Sequence, residues 1–126
     1  MTPLEVMHGY ITHMRAGRFD EGFRYFADDI VGHVPGRSSL SGEKHGRDEV
    51  AGYIQAVLDR APGEVRVELL DTLVGEQYVG LLVREQIGGA NPFELIRLNI
   101  YRVRDDKICE IRIFEGDQYA ADAHLA

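Results

Sequence analysis

Apolar residues in the N-terminal half of the chain recur at helical spacing and predict three helices. The first helix begins at Thr2-Pro3-Leu4-Glu5, where a hydroxyl, a proline and a glutamate form the sequence of a capping box. Its apolar face then repeats at Val6, Met7, Tyr10, Ile11 and Met14. A shorter helix capped by Asp20 is expected to end at Ala27-Asp28-Asp29, and a third helix is expected to be capped by Asp48.

The C-terminal half shows strand patterning instead. Four runs rich in β-branched and aromatic residues predict strands, and they are Glu64 to Val74, Tyr78 to Ile87, Phe93 to Val103 and Lys107 to Glu115. The breaks between these runs are short enough for antiparallel hairpins. A short strand from Ile30 to Val34 is predicted to precede a loop from Pro35 to Gly46. Helices followed by a meander favour an α+β fold, with N-terminal helices packed on a mostly antiparallel sheet.

Alternation along two of these strands indicates a pocket. One face of the strand from Phe93 to Val103 is apolar and consists of Ile96, Leu98 and Ile100. The opposite face mixes both kinds of side chain, namely Leu95, Arg97, Asn99 and Tyr101. A few polar groups in an apolar wall are typical of a small-molecule site, although solvent exposure would also explain the pattern. On the last strand, Ile113 shares a face with Glu115, which is expected near the mouth of the core.

The apolar face of the same strand predicts a partner. If the polar face lines a pocket, Ile96, Leu98 and Ile100 point away from the helices and need another cover. Large apolar patches on sheets are seldom left exposed to water. We therefore expect a homodimer formed through the outer face of the sheet.

Composition and charge narrow the function further. A length of 126 residues fits a single domain over residues 1–126, and a net charge of −7 without a basic cluster argues against nucleic acid. Cys109 is the only cysteine, which excludes an internal disulfide and fits a reducing, cytoplasmic location. No apolar stretch is long enough to span a membrane. His8 and His13 do not share a helix face, so we expect no metal site.

Several segments resemble the N-terminal half of the nuclear transport factor 2-like superfamily, which includes ketosteroid isomerases and SnoaL-like polyketide cyclases. These segments are Tyr10 to Gly17, Phe26 to Asp29, Val31 to Gly36 and His45 to Val50. The resemblance extends to Leu98 to Asp117, so it covers nearly the whole chain. It implies a cone-shaped α+β barrel that holds a small apolar molecule between its helices and a curved sheet.

The resemblance also implies roles for individual residues. The ketosteroid isomerase pattern puts the oxyanion-holding tyrosine at Tyr10, the general base at His33 and the protonated acid at Asn99. Histidines titrate near neutral pH, so His33 would abstract a proton next to a carbonyl, whereas an asparagine would donate an amide hydrogen bond. SnoaL-like cyclases are similar to this chain near its end, where Glu115 or Asp117 would be the acid/base residue. The expected substrate-binding residues are Arg97, Tyr101 and Ile113.

The leading hypothesis is therefore a cofactor-free acid/base enzyme, either an isomerase or an aldol cyclase, acting on a small apolar carbonyl compound. Two alternatives stay open. Arg97-Leu98-Asn99 resembles the Arg-x-Asp pair of limonene epoxide hydrolases, but an amide cannot protonate an opening epoxide. A non-catalytic binding protein would use His33 and Arg97 only as hydrogen-bond donors. The Pro35 to Gly46 loop would either close over the cavity or only cross its rim.

Overall fold

Four helices and six strands make up the computed structural model, which describes residues 1–126. The helices are α1 (Pro3–Arg15), α2 (Phe19–Phe23), α3 (Arg47–Asp59) and α4 (Gln118–Leu125). The strands are β1 (Phe26–Val34), β2 (Gly42–His45), β3 (Val65–Val74), β4 (Tyr78–Ile87), β5 (Phe93–Arg104) and β6 (Lys107–Glu115). None of the helices combines the length and apolar character that a membrane crossing requires.

The strands form one curved, unclosed sheet in the order β2-β1-β6-β5-β4-β3. All neighbours are antiparallel except β1 and β6, which run parallel. The register shifts within three of the strand pairs, for example between Leu69 and Asp71 of β3 and between Arg102 and Val103 of β5. Such irregularities increase local twist and help a sheet to curve. The predicted α+β class is confirmed.

Helix α1 begins as its sequence predicts. The Glu5 amide donates to the Thr2 hydroxyl at 3.2 Å, and the Thr2 amide donates to the Glu5 carboxylate at 3.0 Å. This reciprocal pair satisfies two amides that the helix itself leaves without acceptors. The capping box therefore fixes the start of the helix that carries Tyr10.

The main core lies between the inner face of the sheet and helices α1 and α3. Its buried members are Val6, Met7, Tyr10, Phe26, Ile30, Val50, Val79, Leu81, Val83, Tyr101, Ile108 and Ile111. Each large apolar side chain that is fully buried contributes about 1.5–3 kcal/mol. A smaller cluster of Ile87, Leu95 and Ala121 joins α4 to the end of the sheet. The helices and sheet are thus held together at two places, with space left between them.

The second helix differs from its prediction. It spans only Phe19–Phe23, its N-cap is Arg18, and Asp20 lies in its first turn rather than at the cap. Strand β1 begins at Phe26 because the neighbouring Tyr25 carbonyl accepts a hydrogen bond from the Ile108 amide at 2.7 Å. Pairing with β6 therefore ends the helix earlier than its own sequence predicts.

The segment after β1 also differs. Its second part is strand β2, which pairs with β1 and is followed by α3 with Gly46 rather than Asp48 at the N-cap. Its first part is bound to α4, since the Arg37 amide donates to the Asp122 carboxylate at 3.2 Å. The predicted loop is thus a short connection and a strand, and the connection is fastened to the C-terminal helix.

Candidate functional site

A cavity of ≈190 Å³ lies between α3, α1 and the inner face of the sheet. It opens into a wider groove of ≈1250 Å³ that is bounded on one side by β3. The two spaces share part of their lining, namely Tyr10, Ile54, Leu58, Arg97, Asn99 and Tyr101. No residue between Pro35 and Ser41 lines either space, so that connection does not cover the cavity.

Most of the cavity wall is apolar. Strands β1 and β6 and helix α3 provide Val34, Val50, Ile54, Val57, Leu58, Ile111 and Ile113. Helix α3 presents these side chains because Val50, Ile54 and Val57 recur at helical spacing on the face that packs toward the sheet. An apolar wall with few polar groups is the usual composition of a small-molecule site.

Three tyrosines supply hydroxyl groups to this wall. The rings of Tyr10 and Tyr101 lie 6.0 Å apart, and Tyr53 lines the cavity from α3. Burial raises the pKa of Tyr10 well above its ordinary value and raises the pKa of Tyr53 and of Tyr101 to about 12. The phenols are therefore protonated at neutral pH and can donate. No protein group hydrogen-bonds the Tyr10 or Tyr53 hydroxyl.

Asn99 also lines this space, and its side chain carries one unsatisfied acceptor. Its Oδ1 is the one buried side-chain nitrogen or oxygen atom that has no hydrogen-bond partner. A buried polar atom left without a partner costs about 1–3 kcal/mol. A bound molecule that donates a hydrogen bond at this point would remove that cost.

Arg97 connects two buried carboxylates at the end of the cavity. Its Nε donates to Glu115 at 3.1 Å, and its Nη1 donates to Glu85. The side chains of Arg97, Glu85 and Glu115 are only 11%, 11% and 4% exposed. We call these three residues the Glu–Arg–Glu group. With both carboxyls ionised, it carries one net negative charge.

The surroundings of this group shift two of its pKa values. Burial raises the pKa of Glu115, although the Arg97 charge opposes this effect. For Arg97, burial alone would lower the pKa, but the charges of Glu85 and Glu115 outweigh it and raise the pKa. Arg97 therefore remains a cation. Glu85 and Arg97 line the groove together with Tyr10 and Asn99, so a carboxylate faces the same space as the phenol and the amide.

His33 lies apart from this arrangement. A Cβ added to Gly32 would be 3.5 Å from Val50 of α3, which shows that Gly32 faces inward and that its neighbour His33 faces outward. The His33 imidazole lies 3.6 Å from Glu110 and 3.7 Å from Glu43. Although His33 forms part of the cavity wall, its Nδ1 faces Glu43 and its Nε2 faces Glu110. This placement does not fit the base role implied for His33.

All but one of the other predicted residues lie in the site. Tyr10, Asn99 and the three expected substrate-binding residues, which are Arg97, Tyr101 and Ile113, all line the cavity. Glu115 lies on the inner face beside Arg97. Asp117 instead caps α4, where it accepts a hydrogen bond from the Ala120 amide at 3.0 Å. Of the two acidic candidates, only Glu115 belongs to the site.

Two residues of the site are missing from the sequence predictions. Glu85 shares its strand face with the apolar residues Val79, Leu81, Val83 and Ile87, and a charged residue in such a position is a signal of a buried site. Tyr53 lies between Val50 and Val57 on the inward face of α3, and the same helical periodicity indicates its direction. Both residues were therefore detectable from periodicity.

The outer face of the sheet carries a different network. Glu110 accepts hydrogen bonds from the Tyr78 hydroxyl at 2.7 Å and from Arg112 Nε at 3.1 Å. Burial alone would raise the pKa of Glu110, but these hydrogen bonds lower it below its ordinary value. No group of three or more His, Cys, Asp or Glu side chains is positioned to hold a metal ion.

Comparisons with known proteins agree with this architecture. The family model of the SnoaL-like domain matches residues 7–111. A protein of unknown function with a cystatin-like fold from Xanthomonas campestris has 22% identity and a TM-score of 0.86, over 100% of this chain and 99% of that chain. An NTF2-like protein from Burkholderia xenovorans has 19% identity and a TM-score of 0.75, over 98% and 95% of the two chains.

A third solved structure carries a ligand. It is a hypothetical protein with a ketosteroid isomerase-like fold from Catenulispora acidiphila in complex with trimethylamine, with 18% identity and a TM-score of 0.70. The match covers 100% of this chain and 96% of that chain. No curated protein matches the sequence. At these identities the solved structures establish the NTF2-like fold.

Proposed function

Because this chain belongs to the SnoaL-like family, whose fold includes isomerases and cyclases, we propose that it is a cofactor-free acid/base enzyme. Its substrate is a small, mostly apolar carbonyl compound. One observation carries the proposal: the buried Glu85 carboxylate, paired with Arg97, lines the same space as Tyr10 and Asn99. A base and hydrogen-bond donors around an apolar cavity are what proton abstraction next to a carbonyl requires.

The proposed reaction begins with transfer of a proton from carbon to Glu85. The C–H bond next to the carbonyl breaks, the proton goes to the Glu85 carboxylate, and the electron pair moves onto the carbonyl oxygen. The Tyr10 and Tyr53 hydroxyls donate to the resulting enolate oxygen. Their raised pKa values keep them protonated while that charge develops.

The second half of the reaction depends on the substrate. In an isomerisation, Glu85 returns the proton to a different carbon of the same molecule. In an aldol cyclisation, the enolate carbon bonds to a second carbonyl carbon, and the oxygen of that carbonyl takes the proton. In both cases Glu115 acts as a positioning residue, since it holds the other side of the Arg97 guanidinium.

The test follows the exchange of hydrogen for deuterium next to a ketone. Acetophenone in D₂O is followed by NMR with wild-type protein, Glu85→Gln, His33→Ala and the control Glu94→Gln, an exposed glutamate on β5 that lines neither the cavity nor the groove. We expect exchange that falls at least about 100-fold in Glu85→Gln, as loss of a general base predicts, and that persists in the other two variants. Equal exchange in Glu85→Gln and wild type contradicts the proposal, and so does loss confined to His33→Ala. Binding of the ketone without exchange favours the non-catalytic alternative.

Epoxide hydrolysis is a second candidate, and the Glu–Arg–Glu group favours it. Asn99 cannot protonate an epoxide, but Glu115 could, because burial raises its pKa. Glu85 would take a proton from water while the water oxygen bonds to carbon, and the opening C–O bond would take the Glu115 proton. Formation of diol from styrene oxide, lost in both Glu85→Gln and Glu115→Gln, would support this reaction over enolisation.

A further inference from the structure

We infer that the substrate carries a hydroxyl group beside its carbonyl, and that the inner cavity takes a single-ring hydroxy ketone whose hydroxyl donates to Asn99 Oδ1. The inference that the ligand has a carbonyl group rests on the proposed function. The hydroxyl part follows from the hydrogen-bonding groups of the cavity, whatever reaction takes place there.

The cavity offers an acceptor that a simple ketone cannot use. Asn99 Oδ1 is buried without a partner, and an amide oxygen only accepts hydrogen bonds. A carbonyl oxygen also only accepts, so it leaves Asn99 Oδ1 unsatisfied. A hydroxyl group provides one donor, which matches one free acceptor.

An ammonium group fits this position less well than a hydroxyl. It has three donors, of which two would be left without partners in a mostly apolar wall. The site therefore favours a neutral donor.

The carbonyl of the same molecule is matched by the phenols. The Tyr10 and Tyr53 hydroxyls line the cavity, are protonated at neutral pH and have no acceptor within the protein. The cavity thus combines donors without acceptors and an acceptor without a donor. A neutral molecule with one carbonyl and one hydroxyl satisfies both kinds of group.

The volume limits the size of the molecule. An apolar cavity of about 150 Å³ is large enough to bind benzene. The inner cavity of ≈190 Å³ therefore holds one ring with a short substituent, and any larger part of the ligand extends into the groove.

The experiment uses three matched probes: 3-hydroxyacetophenone, 3-methoxyacetophenone and acetophenone. Their dissociation constants are measured by NMR titration with wild-type protein, Asn99→Leu, Asn99→Asp and the control Asn91→Leu, which alters an exposed loop asparagine. In wild type we expect 3-hydroxyacetophenone to bind about tenfold more tightly than its methyl ether. The ratio falls to about one in Asn99→Leu, and it persists in Asn91→Leu and in Asn99→Asp, which keeps an acceptor oxygen.

Three results would overturn the inference. They are equal binding of the hydroxy and methoxy probes to wild type, no saturable binding of the hydroxy probe, and a hydroxyl preference that survives in Asn99→Leu. The first result is expected if a water molecule, rather than the substrate, satisfies Asn99 Oδ1.

The same samples separate this inference from the proposed function. Deuterium exchange of the acetyl protons in D₂O reports proton abstraction, whereas the titration reports recognition of the hydroxyl. A hydroxyl preference without exchange contradicts the enzyme and supports the ligand class. Exchange without a hydroxyl preference supports the enzyme and contradicts the ligand class.

Discussion

Arg97 and Glu115 lie directly opposite each other on β5 and β6, and the Arg97 Nε donates to the Glu115 carboxylate at 3.1 Å. Glu85 binds the same guanidinium from β4, so two buried carboxylates share a single buried cation. Ion groups of this kind depend on every member, because removing one partner leaves an uncompensated charge in a poorly solvated place. The group is therefore as important for stability as for the site.

Replacing the cation should destabilise the protein strongly. Arg97→Met leaves Glu85 and Glu115 without a counter-charge, and we expect it to lower the free energy of unfolding by about 3–5 kcal/mol at pH 7. Urea denaturation followed by circular dichroism measures the change. The control is Arg84→Met, whose more exposed ion pair with Glu68 should be worth at most about 1 kcal/mol. Equal losses of unfolding free energy in the two variants would show that Arg97 does not hold a buried ion group together.

The raised pKa of Glu115 predicts the direction in which the stability of the folded protein changes with pH. The folded protein favours the neutral acid, so this contribution to stability is present below the ordinary carboxyl pKa of 4.5 and is lost as the pH rises through the raised value. The glutamine of Glu115→Gln cannot ionise. The free energy of unfolding of this variant, relative to that of wild type, should therefore be higher at pH 8 than at pH 4. Thermal unfolding at both pH values measures this difference, with Glu68→Gln, an exposed glutamate paired with Arg84, as control. A relative gain toward low pH would contradict the assignment.

The lowered pKa of Glu110 predicts the opposite pH dependence of stability. Its ionised form is stabilised by Tyr78 and Arg112, so this contribution is present above pH 4.5 and is lost as the pH falls through the lowered value. We expect Tyr78→Phe to cost about 1–2 kcal/mol at pH 7 and less below pH 4. Chemical denaturation at the two pH values tests this. Tyr119→Phe, at a residue that is 92% exposed, should change nothing.

We expect two copies of the chain to form a homodimer through the outer face of the sheet. Ile96, Leu73 and Phe114 are 39%, 50% and 50% exposed on that face, which is unusual for large apolar side chains on a strand. Sedimentation velocity should show wild type at twice the monomer mass of 14.2 kDa and Phe114→Glu as a monomer. Val67→Glu, on the inner face, should remain dimeric. A wild-type monomer at micromolar concentration would refute the expectation.

Much of the fold could be predicted because local chemistry and tertiary structure agree. The capping box at Thr2 and the four C-terminal strands have strong local signals, and each appears in the structure close to its predicted bounds. Strand β2 has no such signal, since Gly42 to His45 is short and has no apolar alternation. It is a strand because β1 offers it an edge to pair with, and that edge is not visible in the local sequence.

The site was predictable only in part for a similar reason. Arg97, Asn99 and Tyr101 could be assigned to one face because β5 differs sharply in polarity between its two faces. In β1 one face carries Gly32 and Val34, and the other carries Val31 and His33. The polarity of these side chains does not show which face is turned toward the core. The direction of His33 is set by pairing with β2 and β6 and by the position of α3 above Gly32. A one-residue difference in register therefore decides whether a histidine serves the cavity or the opposite surface.

Gly32 occupies the place in β1 that faces the cavity without contributing a side chain. A Cβ at this position would lie 3.5 Å from Val50 and 3.7 Å from Lys44, which are ordinary contact distances, and its backbone does not have the positive φ that favours glycine. A side chain installed there by a single substitution would project into the existing wall without altering the pairing of the strand. The scaffold thus has a cavity-facing position whose backbone accepts a Cβ without strain, so the chemistry of the cavity is open to change by evolution or by design through one substitution.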